Sequence, residues 1–538
     1  MADTSTIVQE VLRQYENCVS TRSVWHQIWK DIKDLVRPTA QDFFNTVSQA
    51  GQVQTERIYD GTAPWSLEQL ASGLNSFLTS PIERWFNLGF AGIDFASLDP
   101  NQRRWLEAVS DLIYNAYSNP EAGFNSAINE VYLDLCGFGT AVMNQEYAFE
   151  DGGHLVFKAC PLADCHIAED SDGRVNKIYR LVNMTSAQMI ERFGTVPEKI
   201  AENKDEKKEF KVLHAVYPRS DRVLYGVKNI NMPFVSAWIS VEEKFLLHHS
   251  GFMEFPYHVP RWTKTAGEMY GRSPAMTCLP DIKMLNQMSK VVIKAAQKVV
   301  DPPLMVPDDG FVLPIKTAPS SLLFYTAGTE DRIEPLQTNG RVDVGLDMME
   351  QRRTQIMKAF YIDWLLMQKN NQEMTATEVV DRRQEKFRMM APMIGRIQGE
   401  LLGPMIRRSY MLLLRAGRIP QPPRTARNKP FKLNYVSPAA LAQYGTKLQD
   451  LNRFSTVLTP VAQIKPEVLD IIDTDALATE LSVLTNVSPK ILRTPEQVAG
   501  IRQQRAQQQQ AALQTEMAKG QSEVINNLAD AKQKGGMI

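Results

Sequence analysis

Chemistry on phosphates would show as a Gly-x4-Gly-Lys-[Ser/Thr] loop, whose backbone amides cradle the phosphates while its lysine reaches the outermost one. The chain contains no such loop. The nearest glycine pattern, Gly137-Phe-Gly139-Thr140, lacks a third glycine and reads as a helix-to-strand turn. His248 and His249 are neighbours on a strand-like run, where successive side chains face opposite ways, which argues against a shared metal. His154, Cys160, Cys165 and His166 are zinc-type donors, but their spacing matches no compact CxxC knuckle. Core thiols and surface imidazoles are the plainer reading. No repeated Asp/Glu cluster suggests a nuclease. The expected set of catalytic residues, metal ligands and cofactors is empty.

Charge is patterned where catalysis is not. Lys and Arg number 60 against 61 Asp and Glu, a net charge of -1. A protein that coats a duplex carries a strong basic excess, so this chain does not hold nucleic acid by global charge. Locally the balance is uneven. Residues 369–429 hold 13 Lys and Arg against five Asp and Glu, an excess of +8 that leaves -9 on the remainder. Between 274 and 300, Leu285, Met288, Val292, Ala296 and Val299 fall on one face of a helix. Lys283, Gln287, Lys290, Lys294 and Lys298 fall on the opposite one. A solvated helix face gives this pattern, and so does a helix that lines a cationic pore when copies stand side by side. In the second case each lysine offers a shallow, salt-screened, sequence-independent contact to phosphates.

The elements that must position these lysines read as an α+β chain, mainly helical. Residues 8–36 carry apolar side chains at helical spacing, with Trp25, Ile28, Trp29, Ile32 and Val36 on one stripe, ending at Pro38. Asp99-Pro100 resembles an N-cap followed by proline at the first helical position, opening a helix through Trp105, Val109 and Ile113. From 140 to 250 the period shifts to short β-branched and aromatic runs, among them Leu155-Val-Phe-Lys-Ala and Lys211-Val-Leu-His-Ala-Val-Tyr. These predict a mostly antiparallel sheet, interrupted by a helix at Thr185, where Gln188 completes a capping box. Helices over 274–300 and 344–367, the latter with the stripe Met349, Ile356, Phe360 and Trp364, bracket a small Pro/Gly-rich module. Thr375-Ala-Thr-Glu378 opens a long helix to about 416, kinked by Pro392 and Pro404. Gly395, Gly399 and Gly403 along it would admit a close backbone. A basic linker at 420–430 leads to a helical remainder, with helix starts at Ser437-Pro438, Ser488-Pro489 and Thr494-Pro495, and a tail after about 515 without an apolar stripe.

A chain of 538 residues accommodates two to four domains. Its five scattered cysteines suit a reducing cytoplasm. Nothing approaches the roughly 20 apolar residues of a membrane span, and the first residues predict no secretory signal.

Five blocks, in order, resemble the head-to-tail connecting (portal) proteins of short-tailed bacteriophages. They are Arg57-Ile-Tyr-Asp-Gly-Thr-Ala-Pro with Leu78-Thr-Ser-Pro and Trp85-Phe; Tyr270-Gly-Arg-Ser-Pro-Ala-Met through Val300-Asp-Pro-Pro-Leu; Ala359-Phe-Tyr-Ile-Asp; Thr375-Ala-Thr-Glu-Val with Glu385; and Glu400-Leu-Leu-Gly-Pro-Met. The resemblance implies a homo-oligomeric, dodecameric ring at a capsid vertex of the virion, assembled in the host cytoplasm. Genomic double-stranded DNA would be packaged and ejected through it. It implies a wing (1–272), a first stem helix (273–300), a clip (301–343), a second stem helix (344–367), a channel loop (368–375), a long wing helix with linker (376–430), a crown (431–515) and a tail (516–538). Implied partners are the terminase motor, a tail adaptor, and the capsid and scaffolding proteins, with no membrane. Helical phase then nominates Lys283, Lys290, Lys294 and Lys298, and the channel-loop likeness Lys369, as residues facing DNA. A tail adaptor or internal virion protein is the rival reading, although neither calls for a helix–module–helix hairpin followed by a long kinked helix. A nuclease or ATPase is disfavoured by the missing motifs.

Overall fold

The computed structural model describes residues 4–44, 55–93, 98–149, 152–201, 207–219, 232–300, 304–305, 334–335, 342–365, 390–423, 431–435, 450–458, 460, 473–484, 493, 497–511 and 514. They form two compact units, Met1–Trp85 with Leu112–Ile419, and Phe86–Asp111 with Pro420–Ile538.

The N-terminal helical run is broken. α1 (Thr4–Arg22) and α2 (His26–Leu35) flank a 3-10 turn at Ser23–Trp25, in place of one helix over 8–36. The two halves bury their stripes in different cores, which a straight helix could not do. Val8 and Val11 of α1 pack on Tyr179, Leu213, Ala215, Val235, Ala237 and Ile239. Trp29 of α2 is fully buried and donates its indole N–H to the carbonyl of Phe138 at 3.1 Å. Arg22, at the break, is 2% exposed. Its guanidinium donates to the carbonyls of Leu162 (3.2 Å), Ala163 (2.6 Å) and Cys165 (2.8 Å), so α1 ends where that loop holds it.

Chain order continues with α3 (Thr62–Leu78), β1 (Phe86–Phe90), α4 (Pro100–Ser118), α5 (Phe124–Phe138), β2 (Val142–Ala148), β3 (His154–Cys160), β4 (Cys165–Glu169), β5 (Val175–Thr185), α6 (Ser186–Phe193), α7 (Glu198–Ala201), β6 (Glu209–Pro218), β7 (Phe234–Ser240), β8 (Phe245–Phe252) and β9 (Tyr257–His258). The expected antiparallel region is a five-stranded sheet in the order β4-β5-β6-β7-β8 and a three-stranded sheet β3-β2-β9. Alternation along β6 explains why the larger sheet is covered twice. Leu213 and Ala215 face α1, while Phe210 and Val212 point the other way, onto Met189 of α6 and Ile200 of α7. The capping box at Thr185 and Gln188 is present in full.

α8 (Pro274–Thr277) and α9 (Leu279–Val300) replace the single helix expected over 274–300. Pro280 has no N–H to give to the preceding turn, and the chain breaks at Cys278 before restarting. A short antiparallel ladder, β10 (Leu304–Met305) with β11 (Glu334–Pro335), is the described part of the intervening module. α10 (Val342–Ala359) ends earlier than expected. Tyr361 takes a left-handed φ of 58°, and α11 (Ile362–Leu365) restarts after it. Phe360 and Ile362 are both buried, a spacing that one continuous helix face cannot satisfy. Of the stripe expected on this helix, Met349, Ile356 and Phe360 are buried, and the side chain of Trp364 lies outside the described residues.

The kink expected near Pro404 takes the form of a π-helical turn, Gln398–Leu402, between helical residues 390–397 and α12 (Gly403–Arg415). Among the described residues nothing approaches the face of Gly395 or Gly399, where a Cβ would meet nothing within 4 Å. The earlier part of that helix lies outside the described residues, with Lys369 and the three Ser/Thr-Pro starts.

In the second unit, β12 (Phe431–Tyr435) pairs antiparallel with β1. Both strands depart from the helical expectation for their regions. Phe431 stacks on Phe90 and Trp105, with ring centroids 5.8 and 5.9 Å away, and Trp105 donates to the Pro420 carbonyl at 2.9 Å. α13 (Thr474–Leu484) is joined to the helical residues 497–511 by a forked Arg502–Asp475 pair.

Gly139 caps α5 with φ 77°, and a Cβ there would overlap the backbone of Gly271; a Cβ on Gly271 would overlap Gly139 in turn. Thr140 Oγ1 accepts from the Gly271 N–H at 2.8 Å, and Ser273 Oγ donates to the Gly137 carbonyl at 2.7 Å. The helix-to-strand turn read at Gly137–Gly139 is therefore also the seat of the segment that launches α8. Gly139→Ala and Gly271→Ala should each cost about 2–4 kcal/mol in denaturant unfolding, against no loss for Gly395→Ala, a helical position where a Cβ meets nothing within 4 Å.

Candidate nucleic-acid interface

α9 begins from a well-capped platform. Ser273 Oγ accepts from the Met276 N–H at 3.0 Å, and Pro274 follows at the first helical position. Ile282, Leu285 and Ser289 are buried, and Met288 and Val292 half-buried. This face packs on α10, whose Gly345 sits so close that a Cβ there would lie 3.3 Å from Val292 Cγ2. Beyond Ser289 no described side chain of the helix is fully buried. Val291, Ile293 and Val300 are exposed, as is Met284 nearer the base, and Leu346 and Met348 are exposed on α10.

The lysines separate into two pairs along the axis. Lys283 Nζ lies 2.6 Å from Asp31 Oδ2 of α2, and Lys290 Nζ lies 5.2 Å from the centre of the Tyr59 ring. Both belong to the base of the hairpin. Lys294 and Lys298 lie on its outer half, exposed and without an acidic partner among the described residues. Lys298 is also in the last turn, where a cation offsets the helix dipole. Sequence phase placed the four on one side, but could not show which had local partners, because Asp31 and Tyr59 are more than 200 residues away.

A second set of polar contacts joins the base of the hairpin to its surroundings. Arg352 donates to Asp281 Oδ1 at 2.7 Å, tying α10 to α9. Arg353 grips Asp60 Oδ2 with Nε at 3.0 Å and Nη2 at 2.9 Å. Asp60 Oδ1 accepts from the Thr62 N–H (3.0 Å) and hydroxyl (2.5 Å) at the start of α3. Burial works against the charge on Asp60, but the Thr62 hydrogen bonds and the Arg353 guanidinium outweigh it and hold the carboxyl below its ordinary value.

The zinc-type donors are not gathered. Cys160 and Cys165 are buried side by side, burial driving the Cys165 thiol up, but His154 lies at the other end of β3 near Glu121. His166 abuts Arg22. Among the described residues no three His, Cys, Asp or Glu side chains could hold a metal ion. His248 and His249 occupy successive positions of β8, opposite Trp238 and Ala237.

Sequence reasoning missed the buried polar contacts that join distant elements. Arg261 is 1% exposed; its backbone N–H and guanidinium donate to Glu400, on the π-helical turn, at 2.7–3.2 Å, and it also grips Glu169. Gln145 Nε2 donates to Ser409 Oγ at 2.7 Å, so its Oε1 must accept from Nε2–H of His258, 2.8 Å away. That places a proton on His258 Nε2. Burial, then the nearby Arg408, pushes its pKa to about 3. Burial and Arg22 do the same to His166, also about 3, and burial lowers His214, which is stacked on Trp238. No motif marks these residues; they are single polar letters in apolar runs.

Each of these histidines stays neutral when folded, while the unfolded chain takes up a proton near pH 6.5. Stability should therefore fall as pH drops from about 6.5 toward 3, by roughly 2.7 kcal/mol at pH 4.5 for one fully buried imidazole. Thermal melts at pH 7.5 and 4.5 check this, and His258→Gln should show a smaller difference between the two than the parent.

The sequence pattern of the family described as bacteriophage head to tail connecting protein matches residues 8–492. The chain is 31% identical to the probable portal protein of Bordetella phage BPP-1, over 98% of this chain and 95% of that one. It is 27% identical to the portal protein of Salmonella phage epsilon15, over 99% and 97%. A solved chain from the virion of a native gene transfer agent particle aligns with a TM-score of 0.38 and 9% identity, over 74% of this chain and 86% of that one, too low to carry an argument.

Proposed function

The chain belongs to the bacteriophage head to tail connecting protein family, and from that premise we infer that it is a phage portal subunit whose copies form a ring around a DNA channel. The family match across residues 8–492 carries this reading. Twelve copies, a position at one capsid vertex, and docking of terminase and then a tail adaptor complete it. The protein is a conduit, and the work of moving DNA comes from a separate motor.

In this arrangement α9 and α10 form the channel wall, the module between them the outer tip, and α1–α7 with the sheets the surrounding wing. The α12 region carries the long wing helix, and residues 431–515 the crown. Lys294 and Lys298, with Lys369 from the loop after α11, supply the DNA-facing cations. Lys283 and Lys290 supply charge at the base, already tempered by Asp31 and Tyr59. Repeated around a ring, an unpaired lysine attracts phosphate without reading sequence. Each contact is worth little in water and salt, so no single position traps the duplex. A near-neutral chain with a thin cationic lining suits passage better than a basic one.

Lys294→Glu combined with Lys298→Glu should leave rings intact and lower the DNA packaged or retained per particle several-fold, with a weaker dependence on salt. Particle counts and genome quantification after complementation measure this. Unchanged DNA content in intact rings would remove both lysines from the channel wall.

A further inference from the structure

The motif Arg57-Ile-Tyr-Asp-Gly-Thr lies away from Lys294 and Lys298, yet four of its residues, Arg57, Tyr59, Asp60 and Thr62, make directed contacts at the base of the hairpin or on the helices beside it. Arg57 donates to Asp34 of α2 at 3.1 Å. The Arg57 carbonyl accepts from Asn286 Nδ2 of α9 at 2.8 Å, and the Tyr59 N–H donates to Asn286 Oδ1 at 2.7 Å. One asparagine side chain thus reads the backbone of the motif in both directions, as a strand partner would. The Tyr59 ring lies beneath Lys290. Asp60 divides its two oxygens between Thr62 of α3 and the Arg353 fork of α10. Asp31 of α2 takes Lys283 of α9 on the same side. The motif therefore meets α9 and α10 at once, and holds both against α2 and α3.

We propose that residues 57–62 are a latch that sets the position of the α9–α10 hairpin on the body of the subunit, with Asp60 as its positioning residue. Leverage explains why the base needs one. α9 runs 22 residues, about 33 Å at helical rise, and its outer half makes few apolar contacts with the rest of the described chain. A small rotation at the base would move Lys298 by several times the displacement at Lys283. Asp60 joins the start of α3 to Arg353 through one rigid carboxylate, so the hairpin cannot tilt without breaking a forked ion pair or the hydrogen bonds to Thr62. The latch also engages two of the four lysines of α9, directly through Tyr59 and alongside through Asp31. Hairpin position and the availability of Lys283 and Lys290 are then set by the same contacts. The consequence for DNA rests on the channel reading above; the mechanical role does not.

Hydrogen exchange of the full-length assembled protein, read by mass spectrometry, tests the latch. Asp60→Asn keeps an oxygen for Thr62 but removes the charge that Arg353 pairs with; Arg353→Gln removes the other half. Each should raise exchange over 279–300 and 342–359 several-fold while leaving β5 and β6 unchanged, and the double variant should do no more than the stronger single. Glu254→Gln, which breaks the Arg415 pair on α12, should leave the hairpin as it was. Unchanged hairpin exchange in both single variants overturns the latch, and so does a uniform rise across all peptides, which would make Asp60 a general stability residue. DNA content per particle is the second arm. It should drop in the Asp60 and Arg353 variants and hold in Glu254→Gln; faster hairpin exchange with unaltered DNA content overturns the link to DNA. If the parent chain forms no rings, the channel reading fails, and exchange on the free chain still decides the latch.

Discussion

The packing of α9 on α10 is the contact from which the rest of the molecule takes its sense. Gly345 lets the two helices close on Val292, and Leu285 and Ile356 are buried at the base. That pairing uses one face of each helix and leaves the outer ends with exposed apolar and cationic side chains together. An isolated chain gains nothing from exposing Val291, Ile293 and Leu346. Side-by-side copies would bury such residues against each other and leave the lysines toward whatever runs between them. The same face that is costly in a monomer is thus the one a ring would use.

A long hairpin held at one end needs a stiff mount, and buried polar contacts supply it. Arg22 closes the loop before β4, Gly139 and Gly271 interlock beneath α8, and Arg261 binds Glu400 across more than a hundred residues. The Arg261–Glu400 pair is no large stabiliser in net terms, since desolvation offsets much of a buried ion pair. The value of these contacts is directional. Leaving any one partner unpaired is expensive, so alternative packings are disfavoured and the hairpin has one seat.

Much of this was legible in the sequence where the signal is local. The apolar phase of α9 from Leu285 to Val292, the strand runs of β5 to β7, the Thr185 cap and the Gly137–Gly139 turn all follow from spacing over ten residues or fewer, while Ala296, expected on the same apolar face, is exposed. Helical periodicity on either side of a Pro/Gly-rich stretch supplied the helix–module–helix order as well. What stayed hidden is non-local. β1 finds its partner β12 more than 340 residues on, and neither strand has a turn signal to announce it. The break at Tyr361 has no glycine or proline; it arises because Phe360 and Ile362 both need burial. Lys283 and Lys290 looked equivalent to Lys294 and Lys298 by phase. They differ only because α2 and residues 57–62 pass beside the lower half of the helix.

A reconstruction of the purified assembly by electron microscopy tests the central claim most directly. Rings with an axial hole, in which α9 faces the bore and Lys294 and Lys298 point into it, are the expected result. A map that places α9 on the outer perimeter, or particles that remain compact monomers at high concentration, would contradict it.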